Sequence, residues 1–406
     1  MSLLDNAIWW HVYPLGAMDA PIHHRPIQDP GHRLARLEAW MDYAIELGCS
    51  GLLLGPIFES STHGYDTLDH FRIDSRLGGD AEFDHLVAQA RRRGLSIVLD
   101  GVFNHVGAHH RLVGNTMSAG TGPVRVRDDN GTLRPEPWEG HRDLAVLDHQ
   151  DPTVADLVVE VMLHWLHRGI AGWRLDVAYA VPAPFWRQVL TRVRAHFPEA
   201  IFIGEVIHGD YPAIAHAANL DSITQYELWK AIWSSLNDRN LWELAWALER
   251  HNSFSAHLVT QTFVGNHDVA RIASQVGDAG AALAAIILMT VPGMPSIYYG
   301  DEQAFRGHKQ TGRHGDDQLR PALPATPVDL APHGWWLHRL HQDLIGLRRR
   351  NPWITRGHVH VEAKDCTWIT YRTTRDDHEL HVHIALAPHP HAHISIDGTP
   401  TYRWPR

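Results

Sequence analysis

Asp176, Glu205 and Asp268 each stand where a short apolar run breaks into polar residues: Gly172-Trp173-Arg174-Leu175-Asp176, Gly204-Glu205-Val206 and Val264-Gly265-Asn266-His267-Asp268. A fourth segment of the same kind, Asp100-Gly101-Val102-Phe103-Asn104-His105, precedes them. Buried parallel strands leave such signatures at their C-terminal ends. Arg174 and Asp176 share one face of a strand, so the guanidinium can keep Asp176 ionised, as a nucleophile must be. Glu205 follows Ile201-Phe202-Ile203-Gly204. In that apolar setting, beside an ionised aspartate, it is expected to hold its proton near neutrality and act as a general acid. Asp268 suits the charge that develops on an oxocarbenium-like sugar, with His105 and His267 as hydrogen-bond donors to the same ring. Each residue alone has a plainer explanation: a structural Arg–Asp pair, a helix-capping acid, a histidine satisfied after a strand. In this order, the set predicts the opening of a glycosidic bond with retention.

Such acids must be carried by a scaffold that brings distant strand ends together. Eight apolar runs alternate with helix-period segments from Ile8 to about Gly300: Ile8–Pro14, Gly51–Pro56, Ser96–Val102, Gly172–Val177, Ile201–Val206, Ser222–Tyr226, Thr260–Val264 and Pro295–Tyr299. Helices are expected over Arg33–Leu47, Ala81–Arg93, Pro152–Arg168 and Ala279–Thr290, the third opened by an Asp151-Pro152 cap. This alternation predicts an α/β fold, a (β/α)8 or TIM barrel over residues 1–104 and 151–350. Residues 105–150, rich in Gly, Asp, Pro and Arg, form an inserted subdomain after the third strand, overhanging the face where barrel active sites lie. After a helix at Trp335–Arg350, four alternating strands (His358–Glu362, Thr367–Thr373, Glu379–Leu386, His391–Asp397) predict a small all-β C-terminal domain over 351–406.

The 406 residues are 44% hydrophobic and 20% charged, an ordinary globular balance with ample core. A formal net charge of −10 argues against nucleic acid or an anionic membrane as partner. Cys49 and Cys366 imply no disulfide framework, Met1 to Ala7 lacks a basic stretch followed by an apolar one so no export signal is expected, and the run Ala279–Val291 is too short to span a bilayer. A cytoplasmic protein is expected. Histidines number 33; the spacing of His381, His383, His389, His391 and His393 puts several rings on one strand face, which reads as a polar solvent face because no acid or cysteine interleaves.

Taken together, the segments resemble the signature regions of glycoside hydrolase family 13, the alpha-amylase family. Gly64-Tyr65-Asp66-Thr67 resembles the stretch with the family's stacking tyrosine, Pro295 to Glu302 its eighth-strand region, and Asp143-Leu144 its fifth region. The resemblance covers about residues 8 to 350. It implies Asp176 as nucleophile, Glu205 as acid/base and Asp268 as transition-state stabiliser. It implies Tyr65, Asp66, His105, Arg174 and His267 as sugar-binding residues, with Asp100 largely structural. Trp173 to Ala178 looks like the cyclomaltodextrinase, neopullulanase and α-glucosidase branches, although, with a first strand expected at about Ile8, their N-terminal domain is not expected here. Where many calcium-dependent relatives have Lys-His after the nucleophile, this chain has Val177-Ala178-Tyr179-Ala180. Asn104 and Asp143 resemble two calcium ligands, but no further oxygen ligands are identifiable, so no metal or cofactor is expected to be required.

These observations favour a retaining α-glycosidase acting on short or cyclic maltooligosaccharides. A transglycosylase or isomerase of the same family uses the same covalent intermediate and passes the sugar to a hydroxyl instead of water. A family member without activity, serving as a binding protein, fits less well because all three acids are present. Linkage, endo or exo action and oligomeric state are left open by the sequence.

Overall fold

The computed structural model describes residues 2–23, 31–312 and 314–405. Eight parallel strands appear where the apolar runs place them: β1 Trp9–Val12, β2 Gly51–Leu54, β3 Ser96–Gly101, β4 Gly172–Leu175, β5 Ile201–Gly204, β6 Ser222–Ile223, β7 Gln261–Phe263 and β8 Met294–Tyr298. They are ordered β6-β5-β4-β3-β2-β1-β8-β7. A parallel bridge between Thr224 and Gln261 joins the two ends of that order and closes the barrel. Strands are shorter than the apolar runs because the last residues of each run bend into the loops at the mouth. Ser222–Tyr226 shows this most: only Ser222 and Ile223 pair, and Tyr226 instead begins the helix Tyr226–Asn237.

Trp9, Leu53, Val98, Ile201, Ile203 and Met294 pack together as an apolar plug inside the barrel. Polar residues take over toward the mouth: Arg174 pairs in register with Asp100 on one side and Ile203 on the other. Outside, Asp80–Arg92, Pro152–His167 and Ile272–Thr290 pack their apolar faces on the strands. Asp151 accepts from the Thr153 N–H at 2.9 Å, capping the helix that Pro152 opens. The expected helix at Arg33 starts as a 3-10 turn, Arg33–Leu37, before Glu38–Leu47. Ile272–Thr290 runs 19 residues, longer than the apolar stretch first suggested, with a break in helical dihedrals at Gly277. It is long and apolar enough to cross a membrane, yet most of it is buried against Tyr226–Asn237 and Trp335–Arg350.

Between β3 and Pro152, residues 105–146 make a three-stranded sheet, a helix over Arg111–Ala119 and a hairpin. Gly107 in its first strand lies against residue 66: a Cβ there would meet the Asp66 carbonyl oxygen at 2.6 Å. The C-terminal sheet has five antiparallel strands, β9 His358–Lys364, β10 Trp368–Arg375, β11 His378–Ala385, β12 His391–Ile396 and β13 Thr399–Trp404. The last escapes sequence analysis because its side chains are mostly exposed and it lacks an apolar alternation. The inner face (Val361, Tyr371, Val382, Ile394) is buried, and Tyr371 and Thr373 hydrogen-bond to Thr290 of the barrel. The outer face carries His381, His383, His391 and His393; an acid does reach this face, since Glu362 pairs with His381 at 2.6 Å.

Candidate active site

Leu175 pairs in register with Gly101 and Gly204, so the next residues along the chain, Asp176 and Glu205, leave adjacent strands at one level. Adjacent strands lie about 4.8 Å apart, so the two side chains start from neighbouring backbone positions, and both reach Arg174. Both are buried and both line one cleft of about 490 Å3 at the barrel mouth, together with Asp268. Gly204 leaves room at this point for Leu220, whose Cδ1 lies 2.6 Å from where a Cβ would stand.

Arg174 lies beneath the acids. Its Nη1 donates to both oxygens of Asp100, at 2.7 and 2.6 Å, and reaches Asp176 Oδ1 at 3.3 Å; its Nη2 contacts Glu205 Oε1 at 2.8 Å. One buried cation therefore faces three buried carboxyls. Burial, followed by the charge of Glu205, pushes Asp176 well above the usual carboxylate range, and burial likewise pushes Asp100 up despite Arg174. Arg174 opposes this rise without cancelling it. The two acids differ in their donors. Glu205 accepts from Arg174, from the Tyr226 hydroxyl at 2.9 Å and from the Val177 N–H at 2.9 Å, whereas Asp176 has only the longer Arg174 contact from that group. Val177 adopts φ 39°, a left-handed conformation that a β-branched residue rarely takes, and this conformation accompanies the N–H that meets Glu205.

Asp268 is the most open of the three acids, with a side chain 35% exposed. Burial raises its pKa, but His267, Arg320 and Arg174 outweigh burial and hold the carboxyl below its usual range. His267 Nε2 lies 3.0 Å from Asp268 Oδ2 and also meets the Tyr65 hydroxyl. Tyr65 donates its proton to Asp100 at 3.0 Å, so His267 must carry the Nε2 hydrogen. The His267 ring is stacked between Tyr65 (centroids 5.2 Å apart, planes 8°) and Tyr13 (6.0 Å, 9°). Arg320 donates to the His267 carbonyl at 3.0 Å and to Asp268 Oδ1 at 3.2 Å.

Of the expected sugar-binding residues, Tyr65 and His105 line the cleft, and Arg174 and His267 lie one layer below it. They orient the acids in this structure. Asp66 is buried and does not line the wall: in the turn over 61–66 its carboxylate accepts from the Thr62 hydroxyl at 2.7 Å. His105 stacks on Trp138 of the inserted segment (6.0 Å, 12°), and burial, then neighbouring His63, lowers its pKa to about 4, leaving a neutral ring. Arg320, Tyr226 and Trp138 were not picked out in the sequence. Arg320 lies in an irregular stretch with no motif around it; Tyr226 was legible only as the tail of a strand.

Asn104 turns its amide nitrogen to His105 Nδ1 at 3.1 Å, and exposed Asp143 belongs to no cluster of three His, Cys, Asp or Glu ligands among the described residues.

A closed (β/α)8 barrel with three acids at its C-terminal mouth defines a carboxylate site of the type that handles glycosidic bonds. The family model for the alpha-amylase catalytic domain matches residues 35–128 and 138–377, and the chain belongs to that family. It is similar to neopullulanase 2 of Thermoactinomyces vulgaris, 29% identical over 83% of this chain and 60% of that one. The chain thus spans less than two thirds of that relative. Among solved structures, the cyclic alpha-maltosyl-(1→6)-maltose hydrolase of Arthrobacter globiformis superposes with a TM-score of 0.79 at 25% identity, covering 95% of this chain and 92% of that one. The Nostoc punctiforme debranching enzyme shares the fold, with a TM-score of 0.79 at 24% identity over 94% of this chain and 87% of that one.

Proposed function

We propose that this cleft hydrolyses α-glucosidic bonds in short or cyclic maltooligosaccharides, with retention and through a covalent glycosyl–enzyme intermediate. The observation that carries this is the placement of Asp176 and Glu205 on adjacent strand ends, in one cleft and on one guanidinium. The reaction needs Asp176 ionised at the moment of attack and one proton delivered by Glu205. Asp176 then attacks the anomeric carbon as the bond to the leaving oxygen breaks, and Glu205 gives that oxygen its proton. In the second half, Glu205 takes a proton from water, the water oxygen bonds to the anomeric carbon, and Asp176 is released. Asp268, kept ionised by His267 and Arg320, supports the positive charge that develops on the ring. These side chains supply every proton and electron pair the reaction needs, so no cofactor is called for.

The relatives named for pullulan and for a cyclic maltosyl-maltose support this substrate class. The test is a time course of products from maltose, maltotriose, panose, cyclodextrin and pullulan, with the anomer of the first product read by NMR. Release of the α-anomer, abolished in Asp176→Asn, is expected. First release of the β-anomer, or undiminished activity in Asp176→Asn, would overturn the assignment, and transfer products in excess of free sugar would favour the transglycosylase.

A further inference from the structure

His23, His314 and Asp317 offer two imidazole nitrogens and a carboxylate whose ligand atoms all lie within 4.8 Å of one another. His23 Nε2 is 2.7 Å from Asp317 Oδ1, His314 Nδ1 is 3.1 Å from Asp317 Oδ2, and the two rings are 4.0 Å apart between centroids. From this geometry we propose a binding site for a zinc-class transition-metal ion on the rim of the cleft.

The chemistry of the donors selects the ion. Calcium and magnesium take oxygen ligands almost throughout, which two imidazoles cannot supply. Two His nitrogens with one carboxylate suit Zn2+ or Co2+, with water completing four-coordination. Bonds of 2.0–2.1 Å in a tetrahedron put donor atoms about 3.3 Å apart, so the existing contacts need only small rotations. At present Asp317 bridges the two rings by hydrogen bonds; the metal would replace the protons there.

The site joins two separate connections. His23 follows β1, while His314 and Asp317 follow β8, the neighbouring strand. His23 and Asp317 line the cleft, and Asp316, next in sequence, accepts from Arg320 at 3.0 Å, the same guanidinium that touches Asp268. A bound ion thus ties two walls of the cleft at a point adjoining the arm that holds Asp268.

The test uses the full chain and the metals alone. Co2+ is added and its visible d–d absorption recorded, then Zn2+ affinity is measured by calorimetry, for wild type, His23→Ala, His314→Ala and Asp317→Asn. The His383→Ala/His393→Ala double variant controls for the histidine face of the C-terminal sheet. The His314 and Asp317 side chains are 65% and 46% exposed, so these variants keep the fold. We expect one site with a four-coordinate cobalt spectrum, weakened by about tenfold or more in each single variant, since even an outer partner of a metal ligand is worth that much. The control double variant retains it. Unchanged affinity in His314→Ala and Asp317→Asn, or loss confined to the control, would overturn the site. No sugar is present, so this outcome is independent of the hydrolase assignment.

Discussion

Glu302 is a buried acid beside the barrel that the proposed chemistry does not use, and it ties stability to pH. Its oxygens accept from the Tyr43 hydroxyl at 2.8 Å and the Gly300 N–H at 3.0 Å, and no cation among the described residues pairs with it directly. Burial raises its pKa from 4.5 to about 7, against the hydrogen bond from Tyr43. The folded chain therefore holds this proton more tightly than the unfolded one. Below pH 4.5 both states are protonated and the group is neutral to stability. As pH rises toward 7 the unfolded state ionises first, and the fold loses stability until both are charged. The gap from 4.5 to about 7, at 1.36 kcal/mol per pH unit, amounts to about 3 kcal/mol. Glu302→Gln keeps a polar amide for Tyr43 and Gly300 but never ionises. Its stability relative to wild type should then rise by about 3 kcal/mol between pH 4.5 and pH 8. Urea unfolding at four pH values across that range measures it. A difference between the two proteins that is flat with pH refutes the argument that burial holds this carboxyl neutral.

Other perturbations follow from the polar cluster at the mouth. Arg174→Met strips the cation from Asp100, Asp176 and Glu205; a loss of about 3–5 kcal/mol in urea unfolding is expected, the cost of uncompensated buried charge. Tyr226→Phe removes one donor to Glu205 and the acceptor for Asn266 Nδ2 at 2.7 Å. If Tyr226 positions Glu205, kcat should fall about tenfold and the pH–rate profile should move, with little change in melting temperature; an unmoved profile argues for a purely structural hydroxyl. Arg320→Met takes away a cation that holds Asp268 down. The acid limb of the pH–rate profile should shift to higher pH, while an unshifted limb shows that Asp268 ionisation does not limit the rate.

The apolar runs and the acids ending them were readable without coordinates because strand burial and strand ends write local patterns. Every barrel strand begins within about two residues of its run, and Asp176, Glu205 and Asp268 do meet in one cleft. Contacts made by loops carry no such pattern. Arg320, fifty-two residues after Asp268, and Tyr226, twenty-one after Glu205, reach the acids only through the folded chain. Asp66 shows the converse: its neighbour Tyr65 faces the cleft, yet a local turn hides the carboxylate.

Sequence alone determined which groups could do the chemistry and on what scaffold, since residue type and spacing express the burial of strands and the exposure of their ends. Tertiary structure decided which donors reach each acid and which histidines stand close to one carboxylate. Both depend on distances of a few ångströms between segments far apart in the chain, where burial and the nearest charges set the energies.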